Sequence, residues 1–233
     1  MKRSKRYQEL LKLVDKGKLY SPEEAVQIIK KMGNTKFDET VELSVKLGVD
    51  PKRSDQQVRG SVSLPHGTGK KVRVLAIAEG EAAKEAKEAG ADYVGGKELV
   101  EKIKSGWLDF DAVVSTPAMM KELGKVGKIL GPRGLMPSPK MGTVSNDLKP
   151  IIQEIKKGRV EFKMDKGGNL HIPVGKVSLP ESALLENILA VTRALLRAKP
   201  PQAKGAYLEK MYLSTTMSPS LRLNPRQIME MVR

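Results

Sequence analysis

Between Gly127 and Val144 the chain reads Gly-Lys-Ile-Leu-Gly-Pro-Arg-Gly-Leu-Met-Pro-Ser-Pro-Lys-Met-Gly-Thr-Val, and Lys128, Arg133 and Lys140 are its charged side chains. Cations without an acid, set among glycines and prolines, suit anion binding: Lys and Arg meet phosphate oxygens, and glycine lets a backbone approach closely. Gly131, Pro132 and Gly134 bracket Arg133 and oppose both a continuing helix and a central strand, so a long, shaped, cationic loop is expected here. A second candidate is Thr35-Lys36-Phe37-Asp38-Glu39-Thr40, where Phe37 can lay its ring on a ribose or base while Lys36 and Thr40 bond to a nucleic-acid backbone. A buried Phe at a strand entrance is the competing reading. A third is Thr215-Thr216-Met217-Ser218-Pro219-Ser220, short hydroxyls around one apolar side chain, which suits close approach along an RNA minor groove or else a plain turn.

Signals for catalysis are poor. His66-Gly67-Thr68-Gly69-Lys70 fails the phosphate-loop pattern, because Leu64 stands where its first Gly must be and Lys71 where Ser or Thr must follow. Ala78-Glu79-Gly80-Glu81 lacks the dinucleotide-binding glycines. His66 and His171 have no second ligand at metal spacing and read as surface or strand residues, His171 being counted with the RNA-facing set; Asp109 and Asp111 read as a solvated turn. No catalytic residue, metal or cofactor is expected. Without cysteine there is no disulfide or thiol chemistry, which fits a reducing cytoplasm.

The net charge of +15 points to a polyanion, and the 4% aromatic content argues against a stacking platform for single strands, leaving a folded RNA read by shape and backbone. No apolar run is long enough to span a membrane, and Met1-Lys2-Arg3-Ser4-Lys5-Arg6 is not followed by the apolar stretch of an export signal. The cations concentrate in that arm, in the 127–144 segment, in Lys156-Lys157-Gly158-Arg159 and in the last third, while the stretch from Glu79 to Glu122 is acidic in balance.

Helical period places Tyr7, Leu10, Leu11 and Val14 on one face, and Ser21-Pro22-Glu23-Glu24 opens a second helix with a capping box. Val41 to Val49 and Val58 to Leu64 alternate as strands with one wet face. The style then changes: the apolar run Val72 to Ala78 suits a strand covered on both faces, and it opens an alternation of helices (Glu81–Ala89, Glu98–Ser105, one near Pro117, one ending at Lys157) with strands at Ala91–Val94 and Phe110–Ser115. After Gly158 the half-wet style returns in Val160, Phe162 and Met164, then in Leu170, Ile172 and Val174 beyond a Gly167-Gly168 turn, together a hairpin. A helix from Pro180 to Lys199 and a strand from Ala206 to Thr215 follow. The fold class is therefore α/β with two domains: a split α+β sandwich domain made from both chain ends, 1–67 plus 159–233, and an inserted Rossmann-like parallel-sheet domain, 68–158. Gly67, Gly69 and Gly158 are the hinge residues of the two crossings.

Gly131-Pro132-Arg133-Gly134-Leu135-Met136-Pro137 running into Gly142-Thr143-Val144 resembles the signature of the ribosomal protein L-one family. The resemblance extends through Thr35 to Thr40, Val58-Arg59-Gly60, Leu64 to Lys70, Asp165-Lys166-Gly167-Gly168-Asn169 and Thr215-Thr216-Met217. It implies the same split division, and contact with large-subunit ribosomal RNA through the Phe37 segment and the Thr215–Met217 loop. It also implies a place, as a monomer within the cytoplasmic ribosome, in the mobile stalk beside the transfer-RNA exit site. Release of deacylated exit-site transfer RNA, and translational repression through the protein's own messenger RNA, complete the implied roles. One departure stands out: Ser218 occupies a family glycine, and if that position needs positive φ the serine costs about 1 kcal/mol. A nucleotide-utilising α/β enzyme and a general RNA chaperone are the alternatives.

Overall fold

A computed structural model describes residues 3–203 and 205–232, the side chains of Ser54 and Lys140 excepted, so Met1 and Lys2 of the basic arm lie outside the described residues. Helix α1 (Lys5–Leu11) is short and buries Leu10, and the Ser4 Oγ at its start accepts the Tyr7 N–H at 3.3 Å. Helix α2 (Pro22–Met32) begins as its residues require: Ser21 Oγ accepts the Glu24 N–H at 3.1 Å, Pro22 sits first, and Ala25, Val26, Ile29 and Met32 form the buried stripe. Strand β1 (Thr40–Leu47) buries Val41, Leu43, Val45 and Leu47 and leaves the residues between them at least partly exposed; β2 (Arg59–Ser63) follows.

The middle of the chain runs β3 (Val74–Ile77), α3 (Glu81–Glu88), β4 (Tyr93–Gly95), α4 (Lys97–Lys104), β5 (Ala112–Ser115), the short helices α5 (Met120–Gly124) and α6 (Gly127–Leu130), and α7 (Lys149–Lys157). Strand β3 is the centre of a parallel sheet of order β4-β3-β5. Its Leu75 and Ile77 pack with Leu99, Ile103, Leu123 and Leu130, while Val74 and Ala76 pack with Val114, Leu148 and Ile152. Apolar burial on both faces is why this strand reads as a continuous run rather than an alternation, and it is the doubly wound arrangement expected.

The chain continues through β6 (Arg159–Lys163), β7 (Asn169–Lys176), α8 (Glu181–Arg197), β8 (Leu208–Thr215), β9 (Leu221–Leu223) and α9 (Pro225–Val232). Strands of the first and last thirds join in an antiparallel sheet of order β7-β1-β8-β9. Helices α2, α8 and α9 cover one face of it, where Ile29, Leu43, Ile172, Ile188, Leu213 and Ile228 share a core. The other face is open. Contacts divide the chain into two compact units, Met1–Lys70 with Val160–Arg233, and Lys71–Arg159.

Three expectations need correction. Strands β6 and β7 are not a hairpin: β6 pairs with β2 in a separate two-stranded sheet, and β7 pairs with β1. Alternation fixes which face is buried, not which strand is the partner, and both strands bury their apolar residues in the same core. The turn between them is tight all the same. Asp165 Oδ1 accepts the N–H groups of Asn169 at 2.7 Å and Gly167 at 2.8 Å, and these bonds, the one from Asn169 foremost, hold the Asp165 carboxyl below its ordinary range.

The 127–144 segment is not irregular throughout. Helix α6 and a single 3₁₀ turn at Pro139–Met141 lie within it, Leu130 is fully buried, and Ile129, Leu135 and Met136 pack against the core of the middle unit. Its apolar residues anchor a backbone that its glycines and prolines only shape. Gly131 is demanded by proximity, since a Cβ there would stand 2.7 Å from the Gly127 carbonyl oxygen. Finally, β9 and α9 extend the last unit beyond Thr215, with Asn224 Oδ1 accepting the Arg226 N–H at 3.1 Å at the start of α9.

Candidate nucleic-acid interface

Antiparallel pairing of β1 with β8 sets Val41 opposite Thr215, which brings the segment before β1 and the loop after β8 to the same edge of the sheet. The two are then laced together. Thr216 N–H donates to the Thr40 carbonyl at 3.1 Å, and Thr40 N–H donates to Thr216 Oγ1 at 3.1 Å. Beneath them lies Glu39, 1% exposed, whose Oε2 accepts the Thr215 hydroxyl at 2.5 Å and the Met217 N–H at 2.9 Å. Its Oε1 is buried without a partner. On the outer side Lys176 Nζ donates to Thr40 Oγ1 at 2.9 Å and to the Asp38 carbonyl at 3.1 Å, and the Asp38 carboxylate accepts the Ser178 hydroxyl at 2.7 Å.

Two large apolar side chains of these segments stand in solvent: Phe37 is 54% exposed and Met217 50%. The buried reading of Phe37 therefore falls away, and an exposed ring next to exposed Lys36 in sequence is what a ribose or base contact needs. Thr215 is corrected. As an inward position of β8 it is buried and spends its hydroxyl on Glu39, so it positions the loop rather than meeting a ligand.

Ser218 is corrected too, because among the described residues none other than glycine has positive φ. Its hydroxyl is instead engaged in the loop, where Ser218 Oγ accepts the Thr215 N–H at 2.9 Å and donates to the Pro219 carbonyl at 3.1 Å. Restoring glycine is thus expected to destabilise rather than relieve. Ser218→Gly deprives the Thr215 N–H of its acceptor, at about 1 kcal/mol, which for a chain of this size lowers Tm by about 2–4 °C. A thermal melt showing an unchanged or raised Tm would contradict this.

The open face of the sheet adjoins the loop. Register aligns His171, Ser44, Tyr212 and Arg222 in one row across the four strands, with Ser44 Oγ and His171 Nδ1 3.1 Å apart. Neighbouring rows hold Asn169, Lys46 and Lys210 on one side and Pro173, Glu42 and Ser214 on the other. Small hydroxyls among cations on an open sheet face can bond ribose 2′-hydroxyls and phosphates across a shallow RNA minor groove. His171 thus shares a surface with the Thr40 segment. Ser44, Tyr212, Ser214 and Arg222 are not among the sequence candidates; alternation marks the wet face of Ser44 alone, and only register shows that the four strands bring them together.

The remaining candidates lie elsewhere. Lys128, Gly131, Pro132, Arg133 and Gly134 are exposed in the middle unit, with Lys128 and Arg133 making no ion pair among the described residues; the Lys140 side chain lies outside the described residues. Gly67, Gly69 and Gly158 have φ of 62°, 73° and 104°, a region that glycine alone enters cheaply, and Gly158 ends α7. Among the described residues no group of acids and histidines could hold a metal, and no helix is long and apolar enough to cross a membrane.

Comparison with known proteins adds an independent line. Residues 29–219 match the Ribosomal protein L1p/L10e family. The chain is 59% identical over 225 residues, 96% of its own length and 98% of the relative's, to the large ribosomal subunit protein uL1 of Thermus thermophilus. Counterparts from two strains of that species match to the same extent.

Proposed function

The chain belongs to the ribosomal protein L1p/L10e family, and on that premise we propose that the open sheet face and the adjoining Thr215–Ser218 loop bind large-subunit ribosomal RNA. As a member it is a structural component of the large ribosomal subunit, works in the ribosome in the bacterial cytoplasm, and is not an enzyme. The observation that carries the RNA reading is the Glu39 network, a buried carboxylate bonded to the Thr215 hydroxyl and the Met217 N–H under a loop whose Thr216 and Met217 are exposed, on the segment that also carries exposed Phe37. Desolvating a carboxylate is costly, and a loop that served only as a connection would not need it. The proposal extends to the middle unit. We read it as a separable insertion that projects in the stalk, presents Lys128 and Arg133 to exit-site transfer RNA, and assists release of the deacylated species. The same RNA surface, met by a site on the protein's own messenger, would let free protein repress its own translation. The protein acts as a monomer within the ribosome.

Titration of a stalk fragment of ribosomal RNA against salt tests the core of this. Lys36, Lys46, Lys210 and Arg222 stand on or beside the surface, so log affinity should fall with log salt at a slope of about −3, with at least about tenfold preference over an unrelated folded RNA at physiological salt. Equal affinity for both RNAs would describe a general chaperone. Saturable nucleotide binding without RNA would favour the enzyme.

A further inference from the structure

We infer that Arg6 of α1 is the positioning residue that fixes the two contact segments of this RNA surface at one spacing; the inference rests on the RNA-binding reading above. Arg6 Nη2 donates to the Met217 carbonyl at 2.7 Å, and Nη1 donates to Asn34 Oδ1 at 3.1 Å. Asn34 follows α2 and directly precedes the Thr35–Thr40 segment, so a single guanidinium spans both halves of the site. These contacts reach across 28 and 211 residues of sequence.

Met217 is consequently held at both ends of its peptide. The Glu39 carboxylate takes its N–H from below, and the Arg6 guanidinium binds its carbonyl from the side of α1. Thr216 is pinned to Thr40 by two further bonds. The loop therefore meets RNA already shaped, and the ordering that binding would otherwise require has been completed on folding. Arginine suits this bridging position because a planar fork can serve two acceptors in fixed directions, whereas an ammonium is a single point donor group.

Helix α1 gains from the same bonds. At 7 residues with Leu10 as its buried anchor it is too short to persist alone in water, so the Arg6 contacts also help hold the helix at the edge of the site.

Equilibrium titration of the full chain with the ribosomal RNA fragment at several salt concentrations tests the inference on Arg6→Gln, Arg6→Lys and Asn34→Ala. Arg6→Gln is expected to raise Kd about tenfold, the scale of a lost charged hydrogen bond, with the salt slope unchanged and Tm lowered by about 2–4 °C. Arg6→Lys should not rescue it despite keeping the charge. Asn34→Ala should cost less in the Arg6→Gln background than alone, since the two share one interaction. Full rescue by Arg6→Lys would overturn the brace, and so would a slope reduced by about 0.7–0.9, which marks a phosphate contact instead. Met217→Asp run alongside separates the two failures: if it weakens binding while Arg6→Gln does not, only the brace is lost, and if it binds as wild type the RNA site itself is misplaced.

Discussion

Replacing residues 71–158 by a short Gly/Ser linker is expected to leave a soluble, cooperatively unfolding protein that binds the ribosomal RNA fragment within about tenfold of the full chain, a difference of about 1.4 kcal/mol. The two units share no core residue: Leu43, Ile172, Ile188 and Leu213 belong to one cluster, and Leu75, Ile103, Val114 and Ile152 to two others confined to the middle unit. The strands that flank the excised segment, β2 and β6, pair with each other, and the Met164 N–H on the Val58 carbonyl at 2.9 Å makes the pairing antiparallel, so the end of β2 lies beside the start of β6 and a short linker closes them at small entropic cost. Phe37, Thr216, Met217, Glu39 and the open face all lie in the retained unit. Circular dichroism and a thermal melt would report the fold, and the RNA titration would report the site. The remnant should fail to support release of deacylated transfer RNA, because the proposed projecting part is gone. A folded remnant without RNA affinity would move the primary contact to the 127–144 segment.

Much of this architecture is written in local chemistry. The Ser21 cap, the alternation of β1 and the fully apolar β3 each depend on residues within one element, and all three elements form where their residues ask for them. Partner choice is different. Val160 and Phe162 state that β6 has a buried face, yet nothing in them selects β2 over β7. The 127–144 segment misled because its glycines and prolines drew attention from Ile129, Leu130, Leu135 and Met136, which tie it to a core. Phe37 could be read either way, since burial is the default for phenylalanine. The supports of the site were the least legible part. Glu39 to Thr215 spans 176 residues and Arg6 to Met217 spans 211, and no spacing rule connects residues so far apart. Ser218 shows the reverse case, where a comparison of residue types suggested strain and the observed hydroxyl instead makes a bond.

That the exposed tip of the Thr215–Ser218 loop is the RNA contact is the central claim, and Met217→Asp probes it with little risk to the fold. The Met217 side chain is half exposed, and both supports of the residue, its N–H donating to Glu39 and its carbonyl accepting from Arg6, use its backbone and survive the substitution. What changes is the surface offered to RNA: an apolar contact is replaced by a carboxylate facing phosphates, a loss of about 2 kcal/mol or roughly thirtyfold in Kd. Thr216→Val is the milder companion. It removes the Oγ1 that accepts the Thr40 N–H and should cost about 1 kcal/mol, roughly fivefold. The deciding measurement is the Kd of Met217→Asp for the ribosomal RNA fragment at physiological salt, taken on protein whose Tm matches wild type. An increase of about thirtyfold is the expected result; a Kd equal to that of wild type would contradict the assignment of this loop as the contact.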